Sequence, residues 1–185
     1  VFGGFTVMEI SHDGVVQVSK AKISNETLEN LKSNLLLFYT GVERVNKRIL
    51  GEQNRSTMQS KKEVLESLHY IKESGYKILD YVESGNTTEL GRMFDKHWQY
   101  KKRLAKGISN PEFNRIYDTA MKNGALGGKI SGAGGGGFFL FYCESGKNKL
   151  RSAMAIMGLK EMYFDFDFEG TKVMANFMTY SGRQT

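Results

Sequence analysis

The sequence holds one cysteine, Cys143, so no internal disulfide can form. It sits inside the apolar run 138–143, which reads as a buried, inert thiol rather than a nucleophile. Without a disulfide framework the chain fits a reducing compartment, and a cytoplasmic location is expected. That run is also the longest strongly apolar one, far short of the roughly 18 residues of a membrane span. No membrane partner is expected. Histidine is scarce: His12, His69 and His97 are widely spaced and form no metal-ligand pattern. The opening Val1-Phe2-Gly3-Gly4-Phe5 has no basic region or cleavage pattern of a secretory signal, and no initiator methionine. It reads as the inside of a strand, as though the chain lacked its beginning. A basic stripe is missing too. The 26 basic and 20 acidic residues, formal charge +6, are spread along the chain, with modest concentrations at Lys61-Lys62 and Lys101-Lys102-Arg103. Nucleic acid is therefore not an expected partner. The charge reads either as a solvated surface or as attraction for small anions such as phosphates.

What is present is ordinary globular material, 185 residues of which 40% are hydrophobic and 12% aromatic. A chain of this length buries about 70% of its extended surface and needs neither metal nor disulfide to form a core. Residues 5–10 and 15–23 alternate around Ser11-His12-Asp13-Gly14, which predicts an antiparallel hairpin. A short helix capped by Ser24 or Asn25 and a buried strand at 35–40 follow. Val42, Val45 and Ile49 start a helix that the polar stretch 51–59 is expected to interrupt. Val64, Leu68, Ile71, Ile78 and Val82 predict a long helix ending near Gly85. Asn86 and Glu89 read as the caps of a helix that carries Leu90, Phe94, Trp98 and Leu104 and closes at Gly107. Asn110-Pro111 opens another, with Gly124 past its end. The last third predicts a strand at 138–143, a helix at 147–157, a strand carrying Met162, Phe164, Phe166 and Phe168, a turn at Glu169-Gly170 and a final strand at 172–179. This order implies an α+β fold with antiparallel sheet packed on a helical layer. The Asp165/Asp167 pair reads as an exposed polar face or a cation site, His97 as a helix-packing residue or a substrate contact.

The segment most suggestive of chemistry is Gly127-Gly128-Lys129-Ile130-Ser131-Gly132-Ala133-Gly134-Gly135-Gly136-Gly137. A glycine cluster between ordered elements costs backbone entropy, so it implies tight turning or close backbone approach. Consecutive amides there can form an anion-binding nest. A strand, not a helix, follows, so the segment is neither a Walker loop nor a dinucleotide fingerprint. On spacing alone it reads equally as a flexible connection or as a phosphate-proximal loop. Lys129 either meets a phosphate or sits exposed at a strand end.

The stretch 127–138 nevertheless resembles the third, C-terminal signature of the GHMP small-molecule kinases, which act on galactose, homoserine, mevalonate and phosphomevalonate. The resemblance covers most of the chain. Residues 98–104, Ile108-Ser109-Asn110-Pro111, Gly124-Ala125-Leu126, Phe166-Asp167-Phe168-Glu169-Gly170, Phe2-Gly3-Gly4-Phe5 and 36–41 are similar to the branch of D-glycero-D-manno-heptose 7-phosphate kinases. The resemblance implies a GHMP kinase C-terminal domain over 24–185, with 1–23 a hairpin belonging to a preceding domain or its junction. It implies transfer of the γ-phosphoryl of ATP, with Mg2+, to the anomeric hydroxyl of the heptose 7-phosphate. Gly132, Ala133, Gly134, Gly135 and Gly136 would lie at the nucleotide, and Lys101, Lys102, Arg103, Lys129 and Ser131 at the sugar phosphate, whose existing charge needs a cationic counterpart.

The family's Pro- and Gly/Ser-rich ATP loop has no counterpart here, and none of Asp13, Asp80, Asp95, Asp118, Asp165 or Asp167 matches its catalytic aspartate. The expectation is therefore the C-terminal half of a kinase about twice this length. ATP and Mg2+ would be held mainly by a missing N-terminal half, with no catalytic residue in this chain and no activity of the chain alone. A GHMP kinase for fucose or galactose, and a non-catalytic sugar-phosphate-binding or assembly module, stay open as alternatives.

Overall fold

The computed structural model describes residues 2–42, 46–59 and 62–175. The chain divides into two units, the described parts of Val1–Ala21 with Phe166–Thr185, and Lys22–Asp165. The segment from Phe166 onward groups with the residues before Lys22.

In the smaller unit, strands β1 (Thr6–Ile10) and β2 (Val16–Lys20) pair antiparallel with Thr6 opposite Lys20. Asp13 shapes the turn: its carboxylate accepts from the Ser11 hydroxyl and the Val15 N–H, which holds it below the usual carboxylate range. A two-stranded ribbon is marginal by itself. Here Gly4 N–H donates to Asp167 O at 2.7 Å, and the Phe5 and Phe166 rings meet at 4.9 Å. Asp167 turns its carboxylate onto the N–H groups of Glu169 and Gly170, so it serves a turn.

In the larger unit, helix α1 (Asn25–Asn34), capped by the Ser24 hydroxyl, leads into β3 (Leu35–Tyr39). Helices α2 (Asn46–Met58), α3 (Lys62–Ser84) and α4 (Thr87–Lys101) follow. A 3-10 turn (Lys106–Ile108) then precedes α5 (Pro111–Lys122), whose first turn is capped by Asn110 with Pro111 at the position where a missing N–H costs nothing. Strands β4 (Gly127–Ile130) and β5 (Phe138–Tyr142), helix α6 (Lys147–Ile156) and the short β6 (Lys160–Met162) complete it. The sheet order is β4-β5-β3-β6, every pairing antiparallel. An antiparallel sheet on a helical layer is thus what the sequence predicts.

The register explains the core. Phe38 pairs with Phe139, which pairs with Ile130, and Leu36 pairs with Phe141. All five side chains are buried on the face that meets Trp98, Phe113, Tyr117, Leu150 and Met154. Phe139 stacks on Phe141 at 5.2 Å and meets Trp98 and Phe113 edge-on at 6.0 and 5.9 Å. Such aromatic pairs contribute about 0.5–1.5 kcal/mol beyond the area they bury. Cys143 is fully buried, donates to Ser145 O, and has its thiol pushed up by burial, as expected of an inert thiol.

Several local expectations need correcting. The polar stretch 51–59 does not break α2, which runs unbroken to Met58; Glu52, Gln53, Arg55 and Met58 are all good helix formers, so polarity alone does not end it. α4 ends at Lys101, so Leu104 packs from the following loop and Gly107 lies within the 3-10 turn. Within the alternating stretch 162–168, only Met162 belongs to a strand among the described residues, β6, which pairs with β3 over Lys160–Met162. Residues 172–175 are irregular, and the remainder of the strand expected at 172–179 lies outside the described residues.

Candidate functional site

Two helix–sheet contacts fix the approach to the glycine loop. α4 lies so close to β4 that a Cβ on Gly127 would overlap Gly91 O and sit 2.7 Å from Asp95 N. A Cβ on Gly91 would overlap the Tyr142 ring. Backbone therefore meets backbone, and β4 delivers the loop from the end of α4.

The loop itself is tied down. Ser131 N–H donates to Phe138 O at 2.8 Å, closing the β4–β5 hairpin. Gly135 N–H donates to Ile108 O at 3.0 Å, and Gly137 N–H donates to Val42 O at 2.9 Å. Gly137 O accepts from both the N–H and the hydroxyl of Thr40. Glycine is required at the contact with the 3-10 turn. At Gly134, φ is +103° and a Cβ would meet Ile108 Cα at 3.0 Å; at Gly135, φ is +70° and a Cβ would meet Gly107 O at 3.0 Å and overlap Ile49. Ala133 is half-buried and packs on the core. Among the described residues, the N–H groups of Gly132, Ala133 and Gly134 have no protein acceptor. The loop is therefore a tied-down turn in which three successive amides have no protein acceptor among the described residues, Gly132 being exposed and Gly134 buried.

The basic residues expected at a substrate divide. Lys101 donates from Nζ to Ile130 O at 3.4 Å and to Gly132 O, at the loop's entrance. Lys129 lies half-buried on β4, its Nζ 5.9 Å from the Phe94 ring centroid, and burial lowers its pKa. Ser131 is half-buried beside it. Lys102 turns to the Trp98 and Tyr117 rings, at 5.9 and 6.0 Å. Arg103 stacks on Tyr100 at 4.7 Å and pairs with Glu63 of α3 at 4.0 Å. The contiguous run is thus dealt out over three neighbourhoods.

His97 lies on the face of α4 toward Lys129. Burial first, then the charges of Lys129 and Lys101, lower its pKa to about 4, and its Nδ1 is buried without a hydrogen-bond partner among the described residues. The unfolded chain, with its ordinary value of 6.5, takes up this proton before the folded one does. Stability from this group is therefore full above about pH 6.5 and falls as pH drops toward about 4. His97→Gln is expected to flatten that part of the profile. Urea midpoints at pH 7 and pH 5 test it, and an equal fall in wild type and variant would refute the assignment.

Sequence reading missed a cleft of about 690 Å³ beside the loop. Gly135 forms part of its wall, with Glu52 and Arg55 from α2, Lys106 from the 3-10 turn, and Ser109 and Asn110 at the start of α5. Glu52 Oε1 accepts the Lys106 N–H at 3.0 Å, which joins α2 to the turn. Asp165, weighed as a cation ligand, instead pairs with Lys32 at 2.7 Å. Among the described residues no cluster of His, Cys, Asp and Glu is built to hold a metal ion, and no helix is long and apolar enough to cross a membrane.

Residues 78–158 match the C-terminal domain of the GHMP kinases, and the chain carries that domain. It is 32% identical over 173 residues to a D-glycero-alpha-D-manno-heptose 7-phosphate kinase from Campylobacter jejuni, a match covering 92% of this chain and 50% of that protein. A bifunctional L-fucokinase/L-fucose-1-P guanylyltransferase from Bacteroides fragilis is 32% identical over 116 residues, 63% of this chain and 12% of its own length. A crystal structure described as a sugar kinase, also from Campylobacter jejuni, superposes with a TM-score of 0.66 at 30% identity, covering 91% of this chain and 47% of that one. The chain spans about half the length of the heptose kinase it matches.

Proposed function

We propose that the chain is the C-terminal half of an ATP-dependent sugar kinase whose acceptor is the anomeric hydroxyl of D-glycero-D-manno-heptose 7-phosphate. The supporting observation is the clamped loop, whose amides at Gly132, Ala133 and Gly134 have no acceptor among the described residues, in a chain alike over 92% of its length to a heptose 7-phosphate kinase. Phosphoryl transfer needs positioning and charge neutralisation more than covalent chemistry. Mg2+-ATP would supply the phosphoryl group. The loop amides would meet nucleotide phosphate oxygens, and Lys101, fixed to Ile130 O and Gly132 O, would keep a positive charge at the loop's entrance. The ATP loop and the base would come from an N-terminal half. Lacking both motifs, these 185 residues alone are expected to show no turnover.

The test is the intact polypeptide that contains this chain, incubated with Mg2+-ATP and either heptose 7-phosphate, fucose or galactose. Formation of a 1,7-bisphosphate is the expected result. Preference for a neutral sugar would move the substrate toward the fucokinase relative, and absence of turnover on any of them would overturn the reading.

A further inference from the structure

The cleft beside Gly135 has the composition of a sugar-phosphate site, and none of its charged residues belongs to the basic run at 101–103. Arg55 projects from α2 and Lys106 from the 3-10 turn, and both line the same space. Both are exposed, and neither has an ion-pair partner among the described residues. By contrast, Lys101, Lys102 and Arg103 are occupied by loop carbonyls, aromatic rings and Glu63. The third charged group, Glu52, is held in place by the Lys106 N–H. A fixed carboxylate is an acceptor for sugar hydroxyls, and two cations lining the same cleft suit a phosphate ester carrying between one and two negative charges. The volume of about 690 Å³ lies in the range of small-molecule sites. Gly135 supplies the link to the reacting end: the residue that walls the cleft is part of the same loop whose amides at 132–134 have no acceptor among the described residues.

We propose that this cleft binds the non-reacting end of a phosphorylated sugar acceptor, with Arg55 and Lys106 on its phosphate ester and Glu52 on its hydroxyls. Resting on the kinase reading, this assigns the acceptor's phosphate to residues far apart in sequence that only the fold brings together. It also makes the cleft the part of the protein that selects phosphorylated over neutral sugars.

The experiment uses the intact polypeptide with Arg55→Gln and Lys106→Gln, and Lys122→Gln at an exposed position on the last turn of α5 as control. Each cleft variant is expected to raise KM for heptose 7-phosphate roughly tenfold or more, the usual effect of losing one charge-assisted hydrogen bond. KM for ATP and the weak turnover of the unphosphorylated heptose should stay within about twofold. An unchanged KM for the sugar phosphate overturns the proposal. So does a rise confined to ATP, which would make the cleft a nucleotide site, or an equal loss for phosphorylated and neutral heptose. Titration with inorganic phosphate, followed by NMR, separates the two layers of argument. If heptose 7-phosphate is not turned over at all, the kinase reading fails by itself. Phosphate binding that disappears in both variants would still support the cleft, and binding unaffected by them would overturn it.

Discussion

Gly127→Ala is expected to destabilise the larger unit by about 3 kcal/mol, at the upper end of ordinary overpacking effects. For a chain of this size that is a drop in Tm of roughly 6–12 °C, read by calorimetry or circular dichroism. The methyl group would overlap Gly91 O and come within 2.7 Å of Asp95 N. Both obstacles are backbone atoms of α4, so no side chain can swing aside, and relief requires moving the helix off the strand. Gly75→Ala provides the contrast. Gly75 lies exposed within α3 with nothing near its would-be Cβ, and the same substitution there should stabilise by about 0.5–1 kcal/mol through helix propensity. If both changes shifted Tm in the same direction, the close-packing account of Gly127 would fail.

Phe139→Ala is expected to cost about 3–5 kcal/mol, the range for emptying an aromatic site in a packed core. The side chain is fully buried, pairs across the sheet with Phe38 and Ile130, and touches the rings of Phe141, Trp98 and Phe113. No neighbour can fill the gap without breaking one of those ring contacts. Leu140, next in β5, points to the other side of the sheet and is half-buried. Leu140→Ala should therefore cost clearly less. Denaturant midpoints compared with wild type check the order, and a Leu140 effect equal to that of Phe139 would contradict the assigned core face.

Elements with a strong local signal were legible. The runs Leu-Leu-Leu-Phe-Tyr and Phe-Phe-Leu-Phe-Tyr are β3 and β5, Ser24, Asn86 and Asn110 cap the helices they precede, and Asp13-Gly14 turns the hairpin. β4 was hidden because Gly-Gly-Lys-Ile has little strand propensity. It is a strand because β5 pairs with it, and its glycines are there to admit α4. At 162–168 a period of two is present, yet among the described residues the strand there is β6, Lys160–Met162, of which only Met162 belongs to the alternating run. Periodicity reports which faces differ, and pairing decides whether a ladder forms. At the site, the glycine loop was conspicuous because its residues are contiguous. Arg55 and Lys106 were not, since α2 and the 3-10 turn meet only after α3 and α4 have intervened. Adjacent cations, in turn, need not act together: successive residues at the end of α4 point in different directions, and each found a different neighbour.

A stretch with five glycines in six residues would ordinarily be the most disordered part of a ligand site, and fixing each residue on binding would cost about 1–2 kcal/mol. In this protein Ile108 O, Val42 O and Thr40 hold the loop before any ligand arrives. The entropy of ordering it is therefore met during folding, and a phosphate reaching its amides would bind a surface already set, with affinity less eroded by rearrangement.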